Sequence, residues 1–258
     1  MARTSALFLG HGSPMNIILN NAYTEHLMKL GQDIPTPKAI LVVSAHWLTQ
    51  GTYITSAENP KTIYDFYGFP QELYNVTYPC PGAGVQIAEL DAVFKNASIQ
   101  YDSDRGLDHA AWAVLKHMYP NANIPTMEMS LDYNKTPKEH FELAKKIAPL
   151  RDQGVLIIGS GNIVHNLRAV DWNIDATPYD WAVEFDKIAK ECILEKNHRS
   201  LIEYEKLGRA ALLSIPTSEH YIPMLYTLGL QAEDEQVDFS YEGFQNASIS
   251  MRCFTLQK

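Results

Sequence analysis

Three apolar runs in the chain lead into a histidine: residues 6–10 into His11, 40–45 into His46, and 155–164 into His165. A fourth, His220, sits in Pro216-Thr217-Ser218-Glu219-His220-Tyr221, where Ser218 is placed to cap a short helix. Neutral imidazole suits zinc, iron, copper and nickel, whereas calcium and magnesium prefer oxygen, so gathering these side chains implies a first-row transition metal. Three or four protein ligands with one open position make such a site catalytic, while closed structural zinc is usually built from clustered cysteines. Cys80, Cys192 and Cys253 are scattered and form no Cys-x-x-Cys pair, which argues against both a thiolate site and a disulfide framework. Zn2+ or Fe2+ is the expected ion.

The elements that must position these histidines follow from the pattern around them. Short apolar runs read as strands buried on both faces of a parallel sheet, and ligand sites in open α/β sheets lie just beyond the carboxyl ends of such strands. Further strands are predicted over 39–44, 125–131, 154–159, 236–239 and 247–256, one of the last two antiparallel. Helices are predicted over 23–30, 84–94, 109–118, 137–150, 181–194 and 219–228, where apolar residues recur near a 3.6 period. The alternation predicts an α/β fold, a single domain over 1–258 with a central mostly parallel, partly mixed sheet flanked by helices. Residues 59–81 hold four prolines and several aromatics in no regular period, and a long aromatic loop in a compact domain is usually functional.

With 258 residues and 46% hydrophobic content, the chain can bury a continuous core. A net charge of −9 opposes nonspecific attraction to phosphate backbones or anionic membranes, so neither nucleic acid nor membrane is an expected partner. The first strand follows the N-terminus directly, with no apolar segment of signal or membrane-spanning length, which predicts a cytoplasmic protein. The pattern leaves the oligomeric state open.

The segments Phe8-Leu9-Gly10-His11-Gly12-Ser13-Pro14-Met15, Val43-Ser44-Ala45-His46-Trp47, Asp65-Phe66-Tyr67-Gly68-Phe69-Pro70, Gly106-Leu107-Asp108-His109-Ala110-Ala111-Trp112, Gly159-Ser160-Gly161-Asn162-Ile163-Val164-His165-Asn166-Leu167 and Pro216-Thr217-Ser218-Glu219-His220-Tyr221 occur in this order. Together they resemble the class III extradiol ring-cleavage dioxygenases (LigB-like), in the branch of the 4,5-DOPA extradiol dioxygenases. The resemblance runs from about residue 6 to 251. It implies that His11, His46 and His220 are metal ligands and that His109 stands close to substrate and oxygen. His165 matches a position that approaches the metal in this branch and serves as acid/base in related enzymes, so both roles stand open. The implied reaction opens a DOPA-like catechol with O2, incorporating both oxygen atoms into a semialdehyde, with His109 and His165 as proton carriers.

Non-haem iron oxygenases commonly use two histidines and one carboxylate, yet here the third candidate is His220, with Glu219 merely its neighbour. An all-imidazole site would carry no compensating negative charge before a catecholate bound, and would hold zinc as readily as iron. A zinc-dependent hydrolase is the rival reading, since zinc on three histidines can generate hydroxide without redox chemistry. A non-catalytic metal- or ligand-binding relative of the same fold is the third.

Other residues carry plainer readings. His26, His117, His140 and His198 lie in predicted helices or polar stretches and read as exposed or internally satisfied. Asp108 is read as the N-cap of the helix that follows in preference to an orienting partner of His109. Asn162 and Asn166 are read as bonding an irregular turn, and Gly82-Ala83-Gly84 as a helix start without the third glycine of a dinucleotide fingerprint. Ser13 and Ser44 lack a nucleophile elbow. Trp47 and the loop aromatics Tyr64, Phe66, Tyr67 and Phe69 would either face a planar substrate or cover the end of the sheet.

Overall fold

The computed structural model describes residues 3–257. In chain order the elements are β1 (Ala6–Gly10), α1 (Ala22–Asp33), β2 (Ala39–Thr49), β3 (Thr52–Thr55), α2 (Gly84–Glu89), α3 (Asp91–Asn96), β4 (Ile99–Asp102), α4 (His109–Met118), β5 (Thr126–Asp132), α5 (Pro137–Ile147) and β6 (Val155–Gly161). They continue with α6 (Asp180–Leu194), α7 (His198–Ile202), α8 (Arg209–Ser214), α9 (Ile222–Gly229), β7 (Gln236–Tyr241), β8 (Phe244–Gln245), β9 (Ile249–Ser250) and β10 (Cys253–Gln257).

Eight strands form one sheet in the order β4-β3-β5-β2-β6-β1-β10-β7, and β8 pairs with β9 apart from it. The centre is parallel, with β6 between β1 and β2, while β10 and β7 close one edge antiparallel and β3 meets β5 antiparallel. The fold is thus the single α/β domain with a mostly parallel, mixed sheet expected from the pattern.

The continuous apolar runs are explained by burial on both faces. Along β1, Ala6 and Phe8 enter one core while Leu7 and Leu9 enter the other; on β6, Val155 and Ile157 oppose Leu156 and Ile158 in the same way. The first core is covered by α5, α6 and α9 through Phe141, Phe185 and Leu225, and the second by α1 and α4 through Leu27 and Trp112. Both sides of each strand are therefore dry, and no polar alternation is needed. Two capping boxes start helices where the sequence offers them, Asn21 with Thr24 at α1 and Thr136 with Glu139 at α5.

Several boundaries differ from the sequence reading. The helix predicted over 84–94 breaks at Leu90 into α2 and α3, because Leu90 leaves the helical conformation while Ile87, Leu90 and Phe94 all stay in the first core. The strand predicted over 247–256 splits into β9 and β10, where Arg252 turns to a buried ion pair with Asp186. The short elements β3, β4, α7 and α8 escape periodicity altogether. The helix predicted over 219–228 begins only at Ile222, so His220 lies in the turn before it, with both Tyr221 and Ile222 donating to the Ser218 carbonyl.

A cleft of about 250 Å³ lined by Lys38, Glu89, Leu90, Gln153 and Val155 lies at the amino-terminal ends of β2 and β6, away from the histidines. Among the described residues no helix is long and apolar enough to cross a membrane.

Candidate metal centre

His11 directly follows β1, whose last residue Gly10 is in register with Gly161 of β6. On the other side of β6, Ser44 of β2 is in register with Ser160, and the pairing of β2 with β5 slips between Val43 and Leu48. Such an irregularity re-aims side chains. It turns His46 toward His11, assisted by the His46 backbone N–H donating to Ser44 Oγ at 3.0 Å. His220 reaches the same place because its carbonyl accepts the Asn162 N–H at 2.8 Å and presses against Gly161. A Cβ on Gly161 would stand 2.1 Å from that carbonyl oxygen, so glycine is required by close approach.

The three rings form a nearly equilateral group, with centroid separations of 5.2 Å for His11 and His46, 4.8 Å for His46 and His220, and 5.3 Å for His11 and His220. His46 Nε2 lies 3.3 Å from His11 Nε2 and 3.1 Å from His220 Nε2. The outer nitrogens determine what these close contacts mean. His46 Nδ1 is 3.0 Å from Asp65 Oδ2 and His220 Nδ1 is 3.1 Å from Glu219 Oε1, and an ionised carboxylate only accepts. His11 Nδ1 is 3.1 Å from Ser160 Oγ, whose proton goes to the Ala110 carbonyl at 2.6 Å, so the serine accepts there too. All three imidazoles carry their proton on Nδ1, leaving unprotonated Nε2 atoms turned toward one another.

Close-set lone pairs with no donor between them are the arrangement that a cation fits. Imidazoles bound through Nε2 at about 2.0–2.1 Å place neighbouring nitrogens about 2.9–3.4 Å apart, between octahedral and tetrahedral angles, and both separations here fall in that range. Ligand-type atoms of His11, His46 and His109 also lie within 4.8 Å of one another. The donor set is thus able to hold a metal ion.

Burial, and then the neighbouring imidazoles, pushes His11 and His220 well below the usual histidine range. Burial and then His46 also lower His109, and take His165 down to about 4. His46 is the exception: burial lowers it, but the hydrogen bond to Asp65 and the charges of Asp108, Asp65 and Glu219 carry it upward. Asp65 is itself held far below the carboxylate range, since bonds from His109 and His46 outweigh the effect of burial. His11 and His220, lowered in this way, stay neutral near pH 7 and are ready to bind a metal.

His109 opens α4 beside the cluster, its ring 4.2 Å from that of His46 and its Nδ1 2.9 Å from Asp65 Oδ2. Asp108 does cap α4, accepting the Ala110 N–H at 3.0 Å, and also receives the Ser44 hydroxyl and the Arg105 guanidinium. His165, four residues beyond β6, stacks on His220 with centroids 3.5 Å apart and planes 7° apart. It is partly exposed, and among the described residues its ring has no hydrogen-bond partner. The other four histidines stand apart: His140 bonds the Tyr226 hydroxyl, His117 the Asn16 carbonyl and His26 the Ser240 hydroxyl, while His198 packs on Phe141.

The loop aromatics divide. Tyr64, Phe66 and Tyr74 pack on one another, with Tyr64 and Phe66 also over Trp112; Phe66 meets the His109 ring edge-on at 5.4 Å, and Tyr67 is 91% exposed. Trp47 is buried under the Arg105 guanidinium.

Sequence reasoning assigned no task to Asp65 or Glu219, and expected an all-imidazole site without compensating negative charge. Both carboxylates stand one hydrogen bond behind the imidazoles and bring negative charge to the histidine cluster. The available signals were the placement of Asp65 in the aromatic loop and the adjacency of Glu219 to His220.

Residues 7–252 match the model of the catalytic LigB subunit of aromatic ring-opening dioxygenase. The chain belongs to this family and is an extradiol ring-cleavage dioxygenase. It is 44% identical to the 4,5-DOPA dioxygenase extradiol of Escherichia coli (strain K12), over 96% of this chain and 93% of that protein. It is also 32% identical to the protein of the same name from Mirabilis jalapa, over 92% and 90% of the two chains. A crystal structure of an uncharacterized protein from Escherichia coli K12 superposes with a TM-score of 0.86 at 39% identity, covering 99% of this chain and 100% of that one.

Proposed function

We propose that the enzyme opens the ring of a DOPA-like catechol with dioxygen, giving a ring-opened semialdehyde that retains both oxygen atoms. The observation that carries this reading is the crowding of unprotonated Nε2 atoms around His46, 3.3 Å from His11 and 3.1 Å from His220. His11, His46 and His220 are assigned as metal ligands, with Fe2+ as the ion for turnover and Zn2+ as an alternative occupant. A ferrous ion held there would supply a chelation point for the two catechol oxygens and electron exchange with dioxygen.

The chain's own residues then have distinct tasks. His109, with Nδ1–H held by Asp65, offers an Nε2 lone pair to receive a catechol proton, and burial keeps that ring neutral near pH 7. His165 is assigned as the second proton carrier and not as a ligand. The rings of His165 and His220 lie 3.5 Å apart with planes 7° apart, so their in-plane lone pairs run side by side and do not converge on one point. Phe66 backs His109 and helps exclude water.

Protein reconstituted anaerobically with Fe(II), then mixed with DOPA and simpler catechols in air, should consume oxygen and form a yellow semialdehyde. Absence of both with every catechol would refute the proposal. Turnover of a hydrolysable substrate without oxygen would favour the zinc hydrolase.

A further inference from the structure

Asp65 belongs to no sheet or helix. It sits in the irregular segment 59–81, yet its carboxylate makes three hydrogen bonds at the cluster. Oδ2 accepts Nδ1–H of His46 at 3.0 Å and Nδ1–H of His109 at 2.9 Å, while Oδ1 accepts the His109 backbone N–H at 2.9 Å. The two rings it joins are in edge contact, with centroids 4.2 Å apart.

We propose that Asp65 is the positioning residue of this site: one carboxylate sets the tautomer and aim of both His46, on the metal side, and His109, on the substrate side. The proposal rests on the assignment of His46 as a ligand and His109 as a proton carrier. Which ring nitrogen carries the proton is set by the partner of the other, so a single acceptor shared by two Nδ1–H groups frees both Nε2 atoms at once. The aromatic loop, packed through Tyr64 and Phe66 on Trp112, places Asp65 between the two halves of the site.

Asparagine is nearly the shape of aspartate but cannot satisfy these donors. With its oxygen at the Oδ2 position, its NH2 faces the His109 backbone N–H; with its oxygen at the Oδ1 position, its NH2 faces both Nδ1 atoms. The second arrangement forces the rings to carry the proton on Nε2, where it blocks ligation by His46 and leaves His109 no lone pair for a substrate proton.

The test compares wild type with Asp65→Asn and Asp65→Ala. Zinc affinity is measured by chelator competition, and imidazole tautomers by long-range 1H–15N correlation of the metal-free and zinc-loaded proteins. Wild type should show Nδ1–H on His46 and His109. Asp65→Asn should move at least one of them to Nε2–H and weaken zinc binding by roughly 10- to 100-fold. In a His109→Phe background the same substitution should still weaken zinc, through His46 alone. Glu72→Gln, which removes an exposed charge from the same segment, should change neither readout.

Wild-type zinc affinity in Asp65→Asn would overturn the proposal. So would weakened zinc with both tautomers unchanged, which would reduce Asp65 to a structural contact. If Asp65→Asn does not fold, Asp65→Ala is read by the same criteria. Neither readout depends on ring cleavage, so failure to oxidise any catechol would leave this inference standing and the functional proposal refuted.

Discussion

Replacing Gly161 by alanine tests the way the fold assembles its centre, because the added Cβ would meet the His220 carbonyl oxygen at 2.1 Å. Real Cβ contacts essentially never fall below 3.0 Å, so the backbone carrying His220 must retreat by about 0.9 Å or β6 must bend. Overpacking of this kind costs about 1–3 kcal/mol, which for a domain of this size lowers Tm by roughly 2–12 °C. The same displacement moves an imidazole that must meet His46 Nε2 at 3.1 Å. A misplacement near 1 Å can cost about 100-fold in rate, so kcat should fall by that order and zinc affinity should weaken with it. Gly84→Ala is the control: nothing lies within 4 Å of its added Cβ, and the position begins α2, so stability should hold or rise by up to about 1 kcal/mol. Thermal melts in chelator, zinc competition and steady-state kinetics give the three numbers. A Gly161→Ala protein with unchanged Tm and zinc affinity would show that His220 is not held against β6 as described.

His11→Ala and His46→Ala should lose bound metal and activity together, whereas His109→Ala should keep the metal and lose turnover; metal analysis beside oxygen uptake checks the pair, and full metal content in the first two would refute their assignment as ligands. His140, buried on the Tyr226 hydroxyl and pushed down to about 4 by burial, should make the protein less stable in acid. The unfolded chain takes up a proton below about pH 6.5 while the folded ring refuses it until about pH 4, so stability falls by about 3 kcal/mol as pH drops through that window. Urea titrations of wild type and His140→Gln at pH 7 and 4.5 should show a smaller loss in the variant, and equal losses would contradict the argument. Arg252→Met leaves the buried Asp186 carboxylate without its cation, held only by the Ser250 hydroxyl, and should cost about 3–5 kcal/mol, much of it recovered by adding Asp186→Leu; a mild single substitution in chemical denaturation would refute the buried pairing.

The helices that start at strong caps, such as α5 at Thr136, were legible because the signal is local. The break at Leu90 was not, since no glycine or proline marks it and the residue is placed by its burial in the core. His220 was legible as a candidate by residue type, but its position in a turn against Gly161 depends on contacts between segments about 60 residues apart. Asp65 sat in a quoted motif without a task, because nothing in a loop sequence says which distant ring nitrogens its oxygens will meet.

By itself, the sequence determined the α/β class and the identity of the chemically competent residues, because strand burial and imidazole chemistry are carried by residue type and local order. Tertiary structure alone decided how they divide: the Nε2 atoms of His11 and His220 set around that of His46, a stacked His165 beside His220, and Asp65 shared by His46 and His109. Those distinctions rest on contacts of 2.9–3.5 Å between chain segments far apart in sequence, which only the packed sheet and its aromatic loop bring into register.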